Sequence, residues 1–182
     1  MRQSEAEKTK QKPEDLTFDY VTNGKAFNKD SSNTCYVINA DNIDIVKESG
    51  DNFTMLVSLY YFCEYSRRYF DSVCIYCREN SVKLLAIDVT DWLYQKQIKD
   101  FLKTSGYYYP VFSLDIYRYG GDFDNRKKWR RFAKELCDSK VPDTKLYGNN
   151  DVILMNNLCE VLVCGNFREL KGVIDSIVHS VK

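Results

Sequence analysis

The chain has 182 residues, the length of one domain plus a terminal segment, and its 26 basic and 26 acidic residues cancel. That balance excludes a global field able to draw in nucleic acid or an anionic membrane surface, so any recognition must be local. The apolar runs are a few residues long, against the roughly 20 that a membrane-crossing helix needs. An odd count of seven cysteines argues against a fully paired disulfide framework and for mostly reduced thiols.

Residues 1–16 are polar and charged, bury too little apolar area to order themselves, and read as a flexible tail. The start, Met1 to Lys8, lacks the apolar segment of a secretory signal. This predicts a cytoplasmic location, or a periplasmic one if an export leader once preceded Met1. Residues 17–52 read as an N-terminal β/α extension: a strand over Phe18 to Gly24, a second over Cys35 to Ile38, and a short helix capped by Asn39 that runs through Glu48.

A regular alternation begins at residue 53. Met55 to Tyr61 predicts a strand, followed by a helix whose Tyr69, Phe70, Val73, Cys74 and Cys77 recur on one face. Val82 to Val89 is a continuous apolar strand of the kind buried on both faces. A helix with Leu93, Ile98, Phe101 and Leu102 inward comes next, then a strand over Pro110 to Tyr117 and a helix striped by Trp129, Phe132, Ala133, Leu136 and Cys137. Two strands, Asp151 to Met155 and Cys159 to Cys164, flank a turn at Asn156-Asn157. Beyond Gly165 a closing helix buries Phe167, Leu170, Ile174, Ile177 and Val181, with Asn166 and Glu169 spaced as a capping box.

The chemistry concentrates at Cys63, placed where the first apolar strand gives way to its helix. Unpaired N–H groups and the positive end of the helix dipole favour a thiolate there, and Arg67 or Arg68 adds to the effect. The adjacent Glu64 opposes it, so a relic cysteine is the competing reading. Cys74 and Cys77 form a Cys-x-x-Cys, but both fall on the apolar stripe in mid-helix and read as core. The single histidine, His179, reads as a surface residue in the last helical turn. The run from Arg126 to Arg131 reads as a solvated helix face with Trp129 turned inward. Fourteen tyrosines, dense around Tyr107 to Tyr109, Tyr117 and Tyr119, offer either a binding surface or edge-strand packing.

The element order from residue 53, Cys63 at the strand-to-helix junction, the terminal hairpin and Gly165 together resemble the thioredoxin-like superfamily, in its redoxin and thiol-disulfide oxidoreductase form. The resemblance covers about residues 53–182. It implies an α/β, three-layer fold: a central mixed β-sheet flanked by helices, with a β-α insertion at about 107–148 before the C-terminal hairpin. It places Cys63 at the first cysteine of the redox motif and Ser66 at the second, giving Cys-x-x-Ser. It also puts Asn149, Asn150 and Asp151 in the substrate-facing loop, where family members carry a cis-proline. The related peroxiredoxins carry a threonine three residues before their cysteine; Tyr60 stands there, which disfavours peroxidase chemistry. The implied activity is monothiol disulfide exchange through Cys63 with no internal resolving cysteine, since a serine hydroxyl cannot resolve a mixed disulfide. The alternative is a non-catalytic protein-binding module. Either way the implied partners are protein thiols or a protein surface, with no cofactor, no metal and no nucleic acid.

Overall fold

A computed structural model describes residues 16–22, 34–46, 52–90, 92–120, 125–137 and 151–180. The tail up to residue 15, Pro142, Asn149 and Asn150 lie outside the described residues.

Seven strands form one sheet: β1 (Thr17–Tyr20), β2 (Thr34–Ile38), β3 (Phe53–Leu59), β4 (Lys83–Asp88), β5 (Phe112–Leu114), β6 (Asp151–Asn156) and β7 (Val161–Asn166). Their spatial order is β1-β2-β5-β4-β3-β6-β7. The pairs from β1 through β3 are parallel, whereas β6 on β3 and β7 on β6 are antiparallel. Helices α1 (Glu64–Glu79), α2 (Gln95–Thr104), the one-turn α3 (Ile116–Tyr119), α4 (Asn125–Cys137) and α5 (Phe167–His179) connect or close these strands.

Every residue of β3 and β4 is buried, as their unbroken apolar sequence predicted, because both faces of the sheet are covered. The period-2 alternation divides the interior. Met55, Val57 and Leu59 join Tyr69, Phe70 and Val73 of α1, Ile98 and Leu102 of α2, and Ile174 and Val178 of α5 in one core. Leu56, Leu85, Ile87 and Ile153 face the other way, into a core with Trp129, Phe132 and Ala133 of α4. The steps β3-α1-β4 and β4-α2-β5 move across the sheet in the same direction, and right-handed crossovers then put α1 and α2 on one face. The helix α4 covers the opposite face. This three-layer order, with a βαβ unit joined to an antiparallel hairpin and closing helix, is the thioredoxin-like arrangement expected from the sequence. The N-terminal strands extend the same sheet, because β2 pairs with β5.

Strand β5 is too short to pair with the whole of β4, and the gap is filled by a side chain. The Tyr107 hydroxyl accepts the Ala86 N–H at 2.9 Å and donates to the Pro110 carbonyl at 2.8 Å. A buried N–H in mid-strand thereby keeps a partner.

Two local expectations are refined. The segment after Asn39 is a 3-10 helix, Ala40–Val46, whose Asp41 N–H donates to the Asn39 side chain at 3.0 Å. The hairpin turn spans residues 157–160 and is organised by Asn156, whose Oδ1 accepts from Leu158 N–H at 2.9 Å and Glu160 N–H at 3.0 Å. Cys159 adopts φ +62° within it. Asn156 thus acts as the organiser of a longer turn and is not itself a central turn residue.

Candidate functional site

The site forms where the chain leaves β3. The Leu59 carbonyl accepts the Val89 N–H at 3.0 Å, which holds the carboxyl ends of β3 and β4 together. Beyond it, three amides find specific partners. Tyr60 N–H donates to Ser66 Oγ at 3.1 Å, Tyr61 N–H to Thr90 Oγ1 at 3.0 Å, and Cys63 N–H to the Tyr60 carbonyl at 3.1 Å. These bonds fix a tight turn that delivers Cys63 to the start of α1.

Cys63 is the N-cap of α1, with φ −92° and ψ 112°, and its carbonyl accepts the first helical bond from Arg67 N–H at 3.1 Å. Its side chain makes no capping hydrogen bond and is half-exposed as a free thiol. The strand-to-helix junction predicted from sequence is therefore present, with the thiol beside the unpaired N–H groups of the first turn. The carboxyl ends of parallel strands are where open α/β sheets gather their sites.

The charged neighbours are otherwise engaged. Arg67 Nη1 donates to the Tyr61 carbonyl at 2.6 Å and its guanidinium lies over the Tyr61 ring, 5.5 Å from the centroid. Arg68 pairs with Glu64 at 2.6 Å on the exposed side of the helix, so the anionic neighbour of Cys63 carries its own counter-charge. The residues just before Cys63 join an aromatic cluster: Tyr61 and Phe62 meet at 5.5 Å, Phe62 and the buried Tyr94 at 4.6 Å edge to face, and Tyr61 and Phe101 at 6.1 Å.

Two of the expected site residues, Ser66 and Asp151, are buried. Ser66, at the second-cysteine position of the motif, is buried, and its hydroxyl accepts the Tyr60 N–H. It braces the helix against the end of β3. Asp151, expected at the end of the substrate-facing loop and at the start of a strand, is the fully buried first residue of β6, and its carbonyl accepts from Ser58 Oγ at 3.4 Å. The same end of the sheet carries both Asp151 and Cys63, but Asp151 belongs to the sheet and not to an open surface.

A buried polar cluster that the sequence did not reveal lies at the neighbouring strand ends. Asp88 Oδ1 accepts from Thr90 N–H at 2.8 Å, Asp88 Oδ2 accepts from Gln95 Nε2 at 3.1 Å, and the same Nε2 reaches Ser113 Oγ at 3.1 Å. It ties β4, α2 and β5 together beneath the turn that carries Thr90 and, through it, Tyr61. The visible signal was an aspartate near the end of an otherwise apolar run.

Two of the other thiols, Cys74 and Cys77, serve packing. Cys74 Sγ donates to the Ser105 carbonyl at 3.4 Å and Cys77 Sγ lies 3.8 Å from Met55 Sδ, both in the α1 core. Burial raises both thiols above their ordinary range. His179 is exposed at the end of α5, with Nδ1 2.8 Å from the Asp175 carbonyl. Among the described residues no group of three or more His, Cys, Asp or Glu side chains is arranged to hold a metal, and no helix is long and apolar enough to cross a membrane.

No protein-family model matches the chain, and no curated protein sequence matches it significantly. Solved structures give loose likenesses. A candidate protein disulfide isomerase from Bacteroides thetaiotaomicron is 18% identical over 70% of this chain and 72% of its own, with a TM-score of 0.42. Yeast Sco1 is 16% identical over 71% and 84%, with a TM-score of 0.40. The reduced N-terminal domain of PilB from N. meningitidis is 18% identical over 69% and 78%, with a TM-score of 0.33. At these scores the likenesses assign no role, and the thioredoxin-like arrangement stands on the strand order and connectivity of this chain.

Proposed function

We propose that the protein is a divergent thioredoxin-like protein that exchanges disulfides through Cys63 as a single nucleophilic thiol. The observation carrying this reading is the placement of a half-exposed, uncapped Cys63 at the N-terminus of α1, at the carboxyl end of β3. The Cys63 thiolate attacks one sulfur of a partner's disulfide, that S–S bond breaks, and the departing sulfur takes a proton as a mixed disulfide forms. Ser66 cannot displace the bound sulfur, so an external thiol releases the product and restores Cys63. The half-buried rings of Tyr61 and Phe62, next to Cys63 in the chain, supply an apolar border for a partner polypeptide.

Cys159 provides the control. It is also half-exposed, but sits in the hairpin turn at the opposite end of the sheet, where β6 ends against Phe53. Alkylation of the folded protein, followed by mass spectrometry, should label Cys63 well ahead of Cys159. Equal rates, or faster labelling of Cys159, would remove the nucleophilic reading.

A second reading, a non-catalytic protein-binding module, is favoured by one observation: Tyr108 and Tyr117 of the inserted segment are 70% and 87% exposed. Large tyrosine surface at small rotamer cost suits a protein partner.

A further inference from the structure

Tyr61, two residues before Cys63, has both of its backbone polar groups held by side chains from other elements. Its N–H donates to Thr90 Oγ1 at 3.0 Å, and its carbonyl accepts from Arg67 Nη1 of α1 at 2.6 Å. Each bond fixes one of the two peptide planes that flank the residue, so the direction of the Tyr61 ring and of the step to Phe62 is set. Thr90 lies just past β4 and is buried. Its own N–H donates to Asp88 Oδ1 at 2.8 Å, Asp88 Oδ2 accepts from Gln95 Nε2 at 3.1 Å, and that nitrogen reaches Ser113 Oγ at 3.1 Å. The hydroxyl that meets Tyr61 is thus anchored through Asp88 to α2 and β5.

We propose that Thr90 is a positioning residue that gives Cys63 its preference for disulfides carried on a polypeptide, an inference that rests on the reading of Cys63 as a disulfide-exchanging thiol. The bonds of the turn divide the work. Cys63 is tied to the turn at Tyr60, whose N–H donates to Ser66 Oγ at 3.1 Å and whose carbonyl accepts the Cys63 N–H at 3.1 Å. Thr90 acts one residue later, on Tyr61, and leaves those two bonds alone.

A small disulfide needs only the Cys63 sulfur. A peptide disulfide also lays its chain along the half-buried Tyr61 and Phe62, and it gains their apolar area in full only where both rings are already in place. Packing holds part of that arrangement, since Tyr61 meets Phe101 at 6.1 Å and Phe62 meets Tyr94 at 4.6 Å. The Thr90 bond ties it to the end of β4. Thr90→Val removes the acceptor and leaves the Tyr61 N–H to seek water, so the two peptide planes around Tyr61 lose one of their two anchors.

The test uses the full chain and two probes with the same leaving group: the disulfide of 2-mercaptoethanol, and an apolar peptide whose single cysteine is disulfide-linked to 2-mercaptoethanol. The Cys63 thiolate attacks the probe's sulfur, the S–S bond of the probe breaks, and 2-mercaptoethanol leaves as a thiolate that takes up a proton. The rate of each adduct at Cys63 is read by mass spectrometry over a range of pH. In Thr90→Val the ratio of peptide rate to small-disulfide rate should fall by about tenfold, with the midpoint of the pH profile unmoved. Thr90→Ser keeps the hydroxyl and should keep the ratio. An unchanged ratio in Thr90→Val, with only the urea midpoint lowered, would show that Thr90 braces the fold and nothing more. Loss of the ratio in Thr90→Ser as large as in Thr90→Val would also overturn the proposal, because the hydroxyl would not be the operative group. Wild-type protein that forms no Cys63 adduct with either probe would remove the exchange reading and this inference with it, whereas adducts with an unchanged ratio would remove this inference alone. Amide hydrogen exchange on the wild type needs no variant to fold: the Tyr61 N–H should be protected, and exchange at the rate of an unbonded amide would overturn the clamp.

Discussion

The backbone N–H of Phe167, the first residue of α5, donates to the hydroxyl of Tyr69 in α1 at 2.7 Å, joining residues 98 positions apart in sequence. A helix start leaves four N–H groups without intrahelical partners, and a buried one needs a substitute. Asn166 Oδ1 accepts from Arg168 N–H at 3.1 Å, and Tyr69 supplies the acceptor for Phe167. The ring also meets Phe167 edge to face at 6.2 Å. Tyr69→Phe keeps the ring and removes the acceptor, so it should cost about 1–3 kcal/mol through the orphaned N–H. Urea unfolding of the two proteins would show it; an unchanged midpoint would mean that the amide finds another partner.

The Tyr69 bond has two counterparts. Tyr107 accepts from Ala86 N–H and Tyr119 from Ala40 N–H, each at 2.9 Å and each between separate elements. High tyrosine content was visible in the sequence, but its use was not, because a hydroxyl's partner depends on which strand falls short and which helix start is buried. The alternation of strands and helices was legible because periodicity of 2 and 3.6 reports burial directly. Cys63 at the head of α1 was legible for the same reason. The hydrogen bond of Ser66 and the burial of Asp151 were not, since motif position says nothing about where a side chain's hydrogen bond goes.

Ser66→Cys tests the functional reading. Sulfur is larger than oxygen and a weaker acceptor, so loss of the bond to Tyr60 N–H should lower stability by about 1 kcal/mol. If Cys63 is nucleophilic, the restored Cys-x-x-Cys should gain disulfide-reductase activity on insulin, and Cys63→Ser in the same background should abolish it. A folded Ser66→Cys protein without activity would favour the binding module.

Trp129 is fully buried, tilted against Phe132 at 5.7 Å, and its Nε1 has no hydrogen-bond partner among the described residues. Volume alone therefore sets the cost of replacement. Trp129→Ala should lose about 3–5 kcal/mol. Trp129→Phe breaks no hydrogen bond and should lose less than about 2 kcal/mol. Equal losses in chemical denaturation would show that the indole N–H contributes after all.

The last prediction concerns Cys35 and Lys99, buried neighbours whose titrations oppose each other. Burial pushes the Cys35 thiol from 9.0 up to about 12, against the lowering effect of Lys99, with Asp88 adding to the rise. Burial pulls Lys99 from 10.5 down to about 8, with Lys103 in the same direction and Cys35 against it, while its Nζ donates to the Thr34 carbonyl at 2.8 Å. The folded protein thus prefers the neutral thiol and the neutral amine, whereas the unfolded chain holds thiolate and ammonium above pH 9. For Cys35, stability is fully present below about 9 and is lost as pH rises toward 12. For Lys99 the folded state binds fewer protons between about 8 and 10.5, so stability rises with pH there. From about 9 to 10.5 the two slopes offset. Removing Lys99 as Lys99→Met should make stability fall more steeply with pH than in the wild type, and Cys35→Ala should make it fall less or rise. Other buried thiols and tyrosines contribute equally to all three proteins, so the comparison of slopes in urea midpoints isolates the pair. Parallel slopes in all three would mean that neither group is held neutral by the fold.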